Sequence, residues 1–250
     1  MGVDSGLPDF RGNEGFWRAY PPFAALGLRF EELANPRWFQ EDVGLAWGFY
    51  GHRLDLYRRT KPHAGFEVLK RWASTKPTEA FVFTSNVDGQ FEAAGFPGDQ
   101  LVECHGSIHH LQCCASCSQE TWLADGIMIE VDPDSMRASG SLPQCPHCFG
   151  PARPNILMFG DRQWISRRTS DQLARYTAWL EQLRGARLAL IECGAGTALP
   201  QVRSESEWIA HRADASLIRI NPREANVPAG PHVGIMSGAL EALVAIDRAS

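Results

Sequence analysis

Arg187-Leu188-Ala189-Leu190-Ile191-Glu192 runs almost directly into Gly194-Ala195-Gly196-Thr197. A short apolar run bounded by turn residues reads as a buried strand of a parallel sheet. A helix around residues 204–211 is predicted next, and Ser216-Leu217-Ile218-Arg219-Ile220 is a second strand, closed by Asn221-Pro222. Strand, glycine turn, helix and strand in that order make an α/β fold. Working upstream, Ala80-Phe81-Val82-Phe83-Thr84 and Leu101-Val102-Glu103 read as strands of the same kind. Asn155-Ile156-Leu157-Met158-Phe159-Gly160 reads as a strand leading into a turn. Amphipathic helices are expected over 64–74, over 169–184 with Leu173, Tyr176, Leu180 and Leu183 on one face, and over 237–248.

Residues 14–62 carry no strand pattern. A helix-like stretch runs from Leu26 to Leu33, Asn35-Pro36 marks a turn and helix start, and Leu45, Trp47, Phe49, Tyr50, Leu54 and Tyr57 recur at roughly helical spacing. This part is expected to be a small helical module. The first dozen residues are turn-rich and polar and read as a working loop.

The 250 residues are 44% hydrophobic and 21% charged, which excludes a disordered or collagen-like chain. A net charge of −5 with no basic stripe argues against nucleic acid as the main partner. No run of 18 apolar residues offers a membrane span and no secretory signal opens the chain. A cytoplasmic location is expected.

Of seven cysteines, five fall between 113 and 148. An odd, clustered set argues for a metal in a reducing compartment rather than for disulfides. Cys145-Pro146-His147-Cys148 is a clean pair, and 27 residues separate it from Cys117. Cys117 can pair with Cys114 at the usual two-residue spacing or with Cys113 at three. Four thiolates from two tight turns suit a closed, structural Zn²⁺ site.

Four further segments stand in order with these pairs: Ser5-Gly6-Leu7-Pro8-Asp9-Phe10-Arg11-Gly12, Thr84-Ser85-Asn86-Val87-Asp88, His105-Gly106-Ser107, and Gly196-Thr197-Ala198-Leu199 with Ile220-Asn221. In this arrangement the chain resembles the sirtuin family of NAD-dependent protein deacylases, essentially end to end. The resemblance implies an α/β, Rossmann-like parallel-sheet domain with a small zinc-ribbon plus helical module. The whole chain, 1–250, is then one catalytic domain. Its large part spans about 1–13, 62–107 and 152–250, with the helical module at about 14–61 and the zinc module at about 108–151.

The resemblance also implies roles. His105 is the general base, with Asn86 beside the reacting centre. Phe10 shields the reactive ribose carbon and Arg11 lies over the cofactor. Asn86 and Asp88 line the nicotinamide pocket. Gly196 and Thr197 approach the phosphates and ribose, Asn221 the adenosine ribose, and Gly238-Ala239 the adenine. The stretch from Pro154 to Gly160 lends a backbone edge to the substrate peptide. The zinc ligands are Cys113, Cys117, Cys145 and Cys148, because the first zinc cysteine of sirtuins usually falls eight residues beyond this histidine. NAD is co-substrate, zinc is structural, and acyl-lysine proteins or peptides are the partners.

Tyr50 and Arg53 lie three apart and share a helix face, where a phenol and a guanidinium can hold a carboxylate. In this the chain resembles the sirtuins that remove succinyl or malonyl groups. It departs from the family at Ser85, at Pro62-His63-Ala64 and at Ala198. Such changes would favour ADP-ribosyl transfer or NAD hydrolysis as the rival chemistry. Sirtuins also carry a buried strand ending in Gly-Ala-Gly ahead of the segment matched here, so the expected strand and phosphate loop would precede Met1.

Overall fold

The computed structural model describes residues 1–9, 12–78, 80–212 and 215–249. Its helices are α1 (Gly12–Ala19), α2 (Pro21–Ala25), α3 (Phe30–Leu33), α4 (Trp38–Glu41), α5 (Val43–Arg59), α6 (Ala64–Ser74), α7 (Gln90–Ala93), α8 (Arg167–Gln182), α9 (Gln201–Arg212) and α10 (Ala239–Ala249). Its strands are β1 (Val82–Thr84), β2 (Leu101–Glu103), β3 (Gly106–Cys113), β4 (Thr121–Leu123), β5 (Glu130–Asp132), β6 (Arg137–Ser139), β7 (Ala152–Ile156), β8 (Ala189–Cys193), β9 (Ser216–Ile220) and β10 (Val233–Ile235).

Of the expected parallel strands, β1 and β2 form a pair, and β8 and β9 form a trio with β10, which the sequence reading did not include. All of these pairings are parallel, with a helix in the β1–β2 and β8–β9 connections and a twelve-residue loop between β9 and β10. The cysteine segment is antiparallel: β4-β3-β7 form one sheet and β5-β6 a hairpin. Three expectations need correction. The strand expected at 155–160 is β7, which lies earlier and pairs with β3, so Leu157–Gly160 is outside it. The helix-like stretch from Leu26 to Leu33 is broken, because α2 ends at Ala25 and Gly27 turns the chain at φ +67°. On α8 the buried residues are Thr169, Gln172 and Tyr176, while Leu173 faces outward.

The core of the helical part is aromatic. Phe16, Tyr20, Phe23 and Phe49 are buried, and the Phe16–Tyr20, Phe23–Phe49 and Tyr20–Phe49 centroids lie 5.5, 5.9 and 5.5 Å apart. Tilted and edge-on pairs of this kind contribute about 0.5–1.5 kcal/mol each beyond simple burial. Helix α5 is the spine of this cluster. The Asp42 side chain starts it by accepting from Leu45 N at 3.0 Å, an N-cap that satisfies one orphan donor. At the start of α6 the same service falls to His63, whose Nδ1 accepts from Gly65 N at 2.9 Å.

Candidate active site

The site is built where β1 and β2 end. Thr84 closes β1, and its Oγ1 accepts from Asn86 N at 3.0 Å, turning the chain at once. Two residues on, Asp88 Oδ1 accepts from Gln90 N at 3.0 Å in the turn that leads into α7. Asp88 is buried, and burial pushes its carboxyl above the ordinary carboxylate value. The His109 ring contacts the Asp88 carbonyl, with Nε2 at 3.1 Å.

His105 follows β2, and Gly106 then starts β3 at φ +78°. A Cβ on Gly106 would stand 2.0 Å from the Asn155 carbonyl oxygen. Glycine is therefore required where the parallel pair is joined to the ribbon. The joint is tied a second time, because Leu157 N donates to the His105 carbonyl at 2.9 Å. Burial lowers the His105 imidazole below the ordinary histidine value, against a hydrogen bond to the Ser85 backbone that acts the other way. At neutral pH the ring is thus a neutral base, ready to accept a proton.

Tyr50, Arg53, Asn86, Asp88, His105 and Ala239 line one cavity of about 780 Å³. That is the size of a cofactor or ligand site. Other expected site residues stand back from it. Thr197 Oγ1 lies 2.5 Å from Glu224 Oε1, and Gly196 precedes it in the same loop. Asn221 is fully buried; its Nδ2 donates to the Ala195 carbonyl at 2.9 Å, and its Oδ1 accepts from Arg223 N and Glu224 N at 2.9 and 3.0 Å. Thr197 and Asn221 tie together two loops whose neighbours Gly194, Leu199 and Pro222 border the cavity. Phe10 and Arg11 lie outside the described residues. On the expected peptide edge, the Leu157 and Phe159 amides are already bonded inward, to the His105 and Ala34 carbonyls.

Arg53 is buried among rings. Its guanidinium carbon lies 5.1 Å from the Phe49 ring centroid and 5.7 Å from that of Tyr50. Burial pushes the Tyr50 phenol up to about 12, partly opposed by Arg53. The residue that sequence reading left out is Tyr57, which lines the same cavity. Its hydroxyl accepts from Arg53 Nε at 2.9 Å and Nη2 at 2.6 Å. The four-residue spacing from Arg53 on α5 was the available signal. Asp161 was missed too. It closes a buried ion pair with Arg153 at 2.8 Å on the cavity wall.

In the ribbon, the sulfurs of Cys113, Cys117, Cys145 and Cys148 all lie within 4.8 Å of one another. Cys113–Cys148 and Cys117–Cys145 are 3.6 and 3.5 Å apart. Four sulfurs about 2.3 Å from a tetrahedral zinc stand about 3.8 Å apart, so the cluster fits the ion. Cys114 is excluded from the cluster. It packs into the hydrophobic core, where burial pushes its thiol up to about 12. His147 turns away, with Nε2 at 2.7 Å from Glu120 Oε2. The four cysteines are positioned to bind a structural zinc.

A parallel-stranded α/β part, an attached four-cysteine ribbon and a cavity lined by a neutral histidine and a buried carboxyl define a class of ligand-binding domain. The comparisons with known proteins give the family. The Sir2 family model matches residues 1–177. An NAD-dependent protein deacylase 1 from Caldanaerobacter subterraneus subsp. tengcongensis is 30% identical over 239 residues, covering 95% of this chain and 85% of its own. An NAD-dependent protein deacylase from Aquifex aeolicus is 27% identical over 224 residues, 90% of this chain and 80% of its own. A mutant Sir2 homologue solved with ADP-ribose superposes with a TM-score of 0.68 at 25% identity, covering 99% of this chain and 86% of that one. The chain belongs to the Sir2 family.

Proposed function

We propose that this chain is an NAD-dependent protein-lysine deacylase acting on acidic acyl groups, succinyl and malonyl, as well as on acetyl. The convergence of His105, Asn86 and Asp88 on one cavity carries this reading. The names of the relatives agree with its coarser part, an NAD-dependent protein deacylase. When bound, NAD supplies a nicotinamide that leaves and a ribose that takes over the acyl group. Asp88 and Asn86 would then hold the carboxamide where they line the cavity. His105, held neutral, takes the proton of a ribose hydroxyl as the base. Lysine and O-acyl-ADP-ribose are the products. Tyr50 and Arg53 face the acyl end and give it a cationic terminus. Cys113, Cys117, Cys145 and Cys148 would hold a zinc ion that fixes the ribbon and, through β3, the Gly106 joint beside His105. The thiol cluster favours the cytoplasm as the place of action.

The test is nicotinamide release from NAD⁺ with no peptide, with acetyl-lysine peptide and with succinyl-lysine peptide. Release that needs peptide and is lost in His105→Ala is expected. Equal release without peptide would replace the deacylase with an NAD hydrolase. The acidic-acyl part falls if Arg53→Met leaves the succinyl rate intact.

A further inference from the structure

The reading above gives the acyl end two polar groups, Tyr50 and Arg53. The structure brings a third. Tyr57 lies one turn beyond Arg53 on α5, is buried, and lines the same cavity as Tyr50, Arg53 and Asp88. A phenol oxygen has two lone pairs and one proton. Both lone pairs of Tyr57 are engaged by one guanidinium, at 2.9 Å from Nε and 2.6 Å from Nη2. The proton is therefore turned away from Arg53.

We propose that Tyr57 is a specificity-determining residue: it fixes the Arg53 fork and offers its own O–H, so that two phenols and one guanidinium together receive the distal carboxylate of an acidic acyl-lysine. The inference rests on the acidic-acyl reading of this cavity.

Three features support it. Arg53 lies close to the rings of Phe30, Phe49, Tyr50 and Tyr57, which limit the rotamers of the long side chain. Pre-set geometry leaves less entropy to lose when an anion arrives. The Arg53 charge stays in place at any working pH, since guanidinium does not lose its proton in proteins. The nearby carboxyl, Asp88, is pushed by burial toward its neutral form, which weakens its repulsion of a second carboxylate.

The test is calorimetric affinity for two peptides of one sequence, carrying succinyl-lysine or acetyl-lysine, with wild type, Tyr57→Phe and Arg53→Met. The quantity read is the succinyl-to-acetyl affinity ratio. Tyr57→Phe removes one oxygen and is expected to lower that ratio about tenfold, or about 1.4 kcal/mol. Arg53→Met should lower it further. Tyr57→Met, which fills the space without an oxygen, serves as second variant and should act like Tyr57→Phe. An unchanged ratio in both Tyr57 variants, with the ratio lost in Arg53→Met, overturns the role of Tyr57 and leaves the acidic-acyl reading standing. Equal weakening of both peptides also overturns it, because that is the mark of a packing role. A ratio near one in wild type, or one unmoved by Arg53→Met, overturns the acidic-acyl reading and this inference with it.

Discussion

Gly106 presses its α-carbon against the Asn155 carbonyl so closely that a methyl group there would lie 2.0 Å from the oxygen. The contact joins β3 to β7 one residue after the histidine of the site. Gly185 has a similar positive φ, +82°, but open space around it. The two glycines therefore separate backbone strain from steric clash. Gly185→Ala should cost about 1–2 kcal/mol, the penalty of a left-handed non-glycine residue. Gly106→Ala pays that and must also shift β7, so its melting temperature should drop clearly further. Thermal melts followed by circular dichroism decide it, and equal drops would refute the joint.

The His105 imidazole is lowered by burial from an ordinary value of about 6.5. A general base works when unprotonated. The acid limb of kcat/KM should therefore fall below pH 6.5 rather than at it, with full activity held through neutrality. His105→Ala should lower the rate about 100-fold or more. The folded state holds this histidine neutral more firmly than the unfolded chain does, so its contribution is lost as pH falls below 6.5. A kcat/KM profile with its acid limb above pH 7 would contradict the assignment.

The ribbon sulfurs make a prediction that distinguishes two adjacent cysteines. Cys113 is in the cluster, while Cys114 is in the apolar core. Zinc content should be about one ion per chain in wild type and should persist in Cys114→Ala. Cys113→Ser and Cys145→Ser should lose the ion. Chelation should then unfold the ribbon and release four reactive thiols, because binding energy at such sites is folding energy. Metal analysis with thiol titration reads both. Zinc lost in Cys114→Ala but kept in Cys113→Ser would reverse the ligand set.

Much of this arrangement was legible in the residues. Leu101–Glu103 and Ser216–Ile220 are strands with the expected bounds, since short apolar-rich runs bounded by turn residues mark strands. Val233–Ile235 was not legible. It is three residues long, lies at the edge of its sheet and follows Gly230-Pro231, so no periodicity develops. β3 hides for another reason: its pairing with β7 shifts register between Ser107 and Leu111, which breaks the alternation a reader would count. At the site, the resemblance to sirtuins, not residue type alone, pointed to His105, Asn86 and Asp88, which line the cavity. It could not show that Asn221 spends its side chain on Ala195, Arg223 and Glu224, because those partners depend on how two loops meet.

Arg153 and Asp161 form the pair on which the cavity wall depends. Both side chains are almost wholly buried, and their closest contact is 2.8 Å. Asp161 also accepts from Gln163 N at 3.0 Å, so one carboxylate anchors β7 and the loop that follows it. Removing one partner leaves a buried charge uncompensated, which typically costs about 3–5 kcal/mol. Asp161→Ala should lose stability on that scale. The exposed Arg59–Asp55 pair offers the control, since both side chains are more than half exposed, and Asp55→Ala should cost well under about 1 kcal/mol. The wall carries Leu157 and Met158, so Asp161→Ala should also raise KM for peptide more than KM for NAD. Urea titrations give the stabilities and initial rates give the KM. If Asp161→Ala were as mild as Asp55→Ala, the pair would be no more than a surface-grade contact, and the wall would have to be held by the β3–β7 pairing alone.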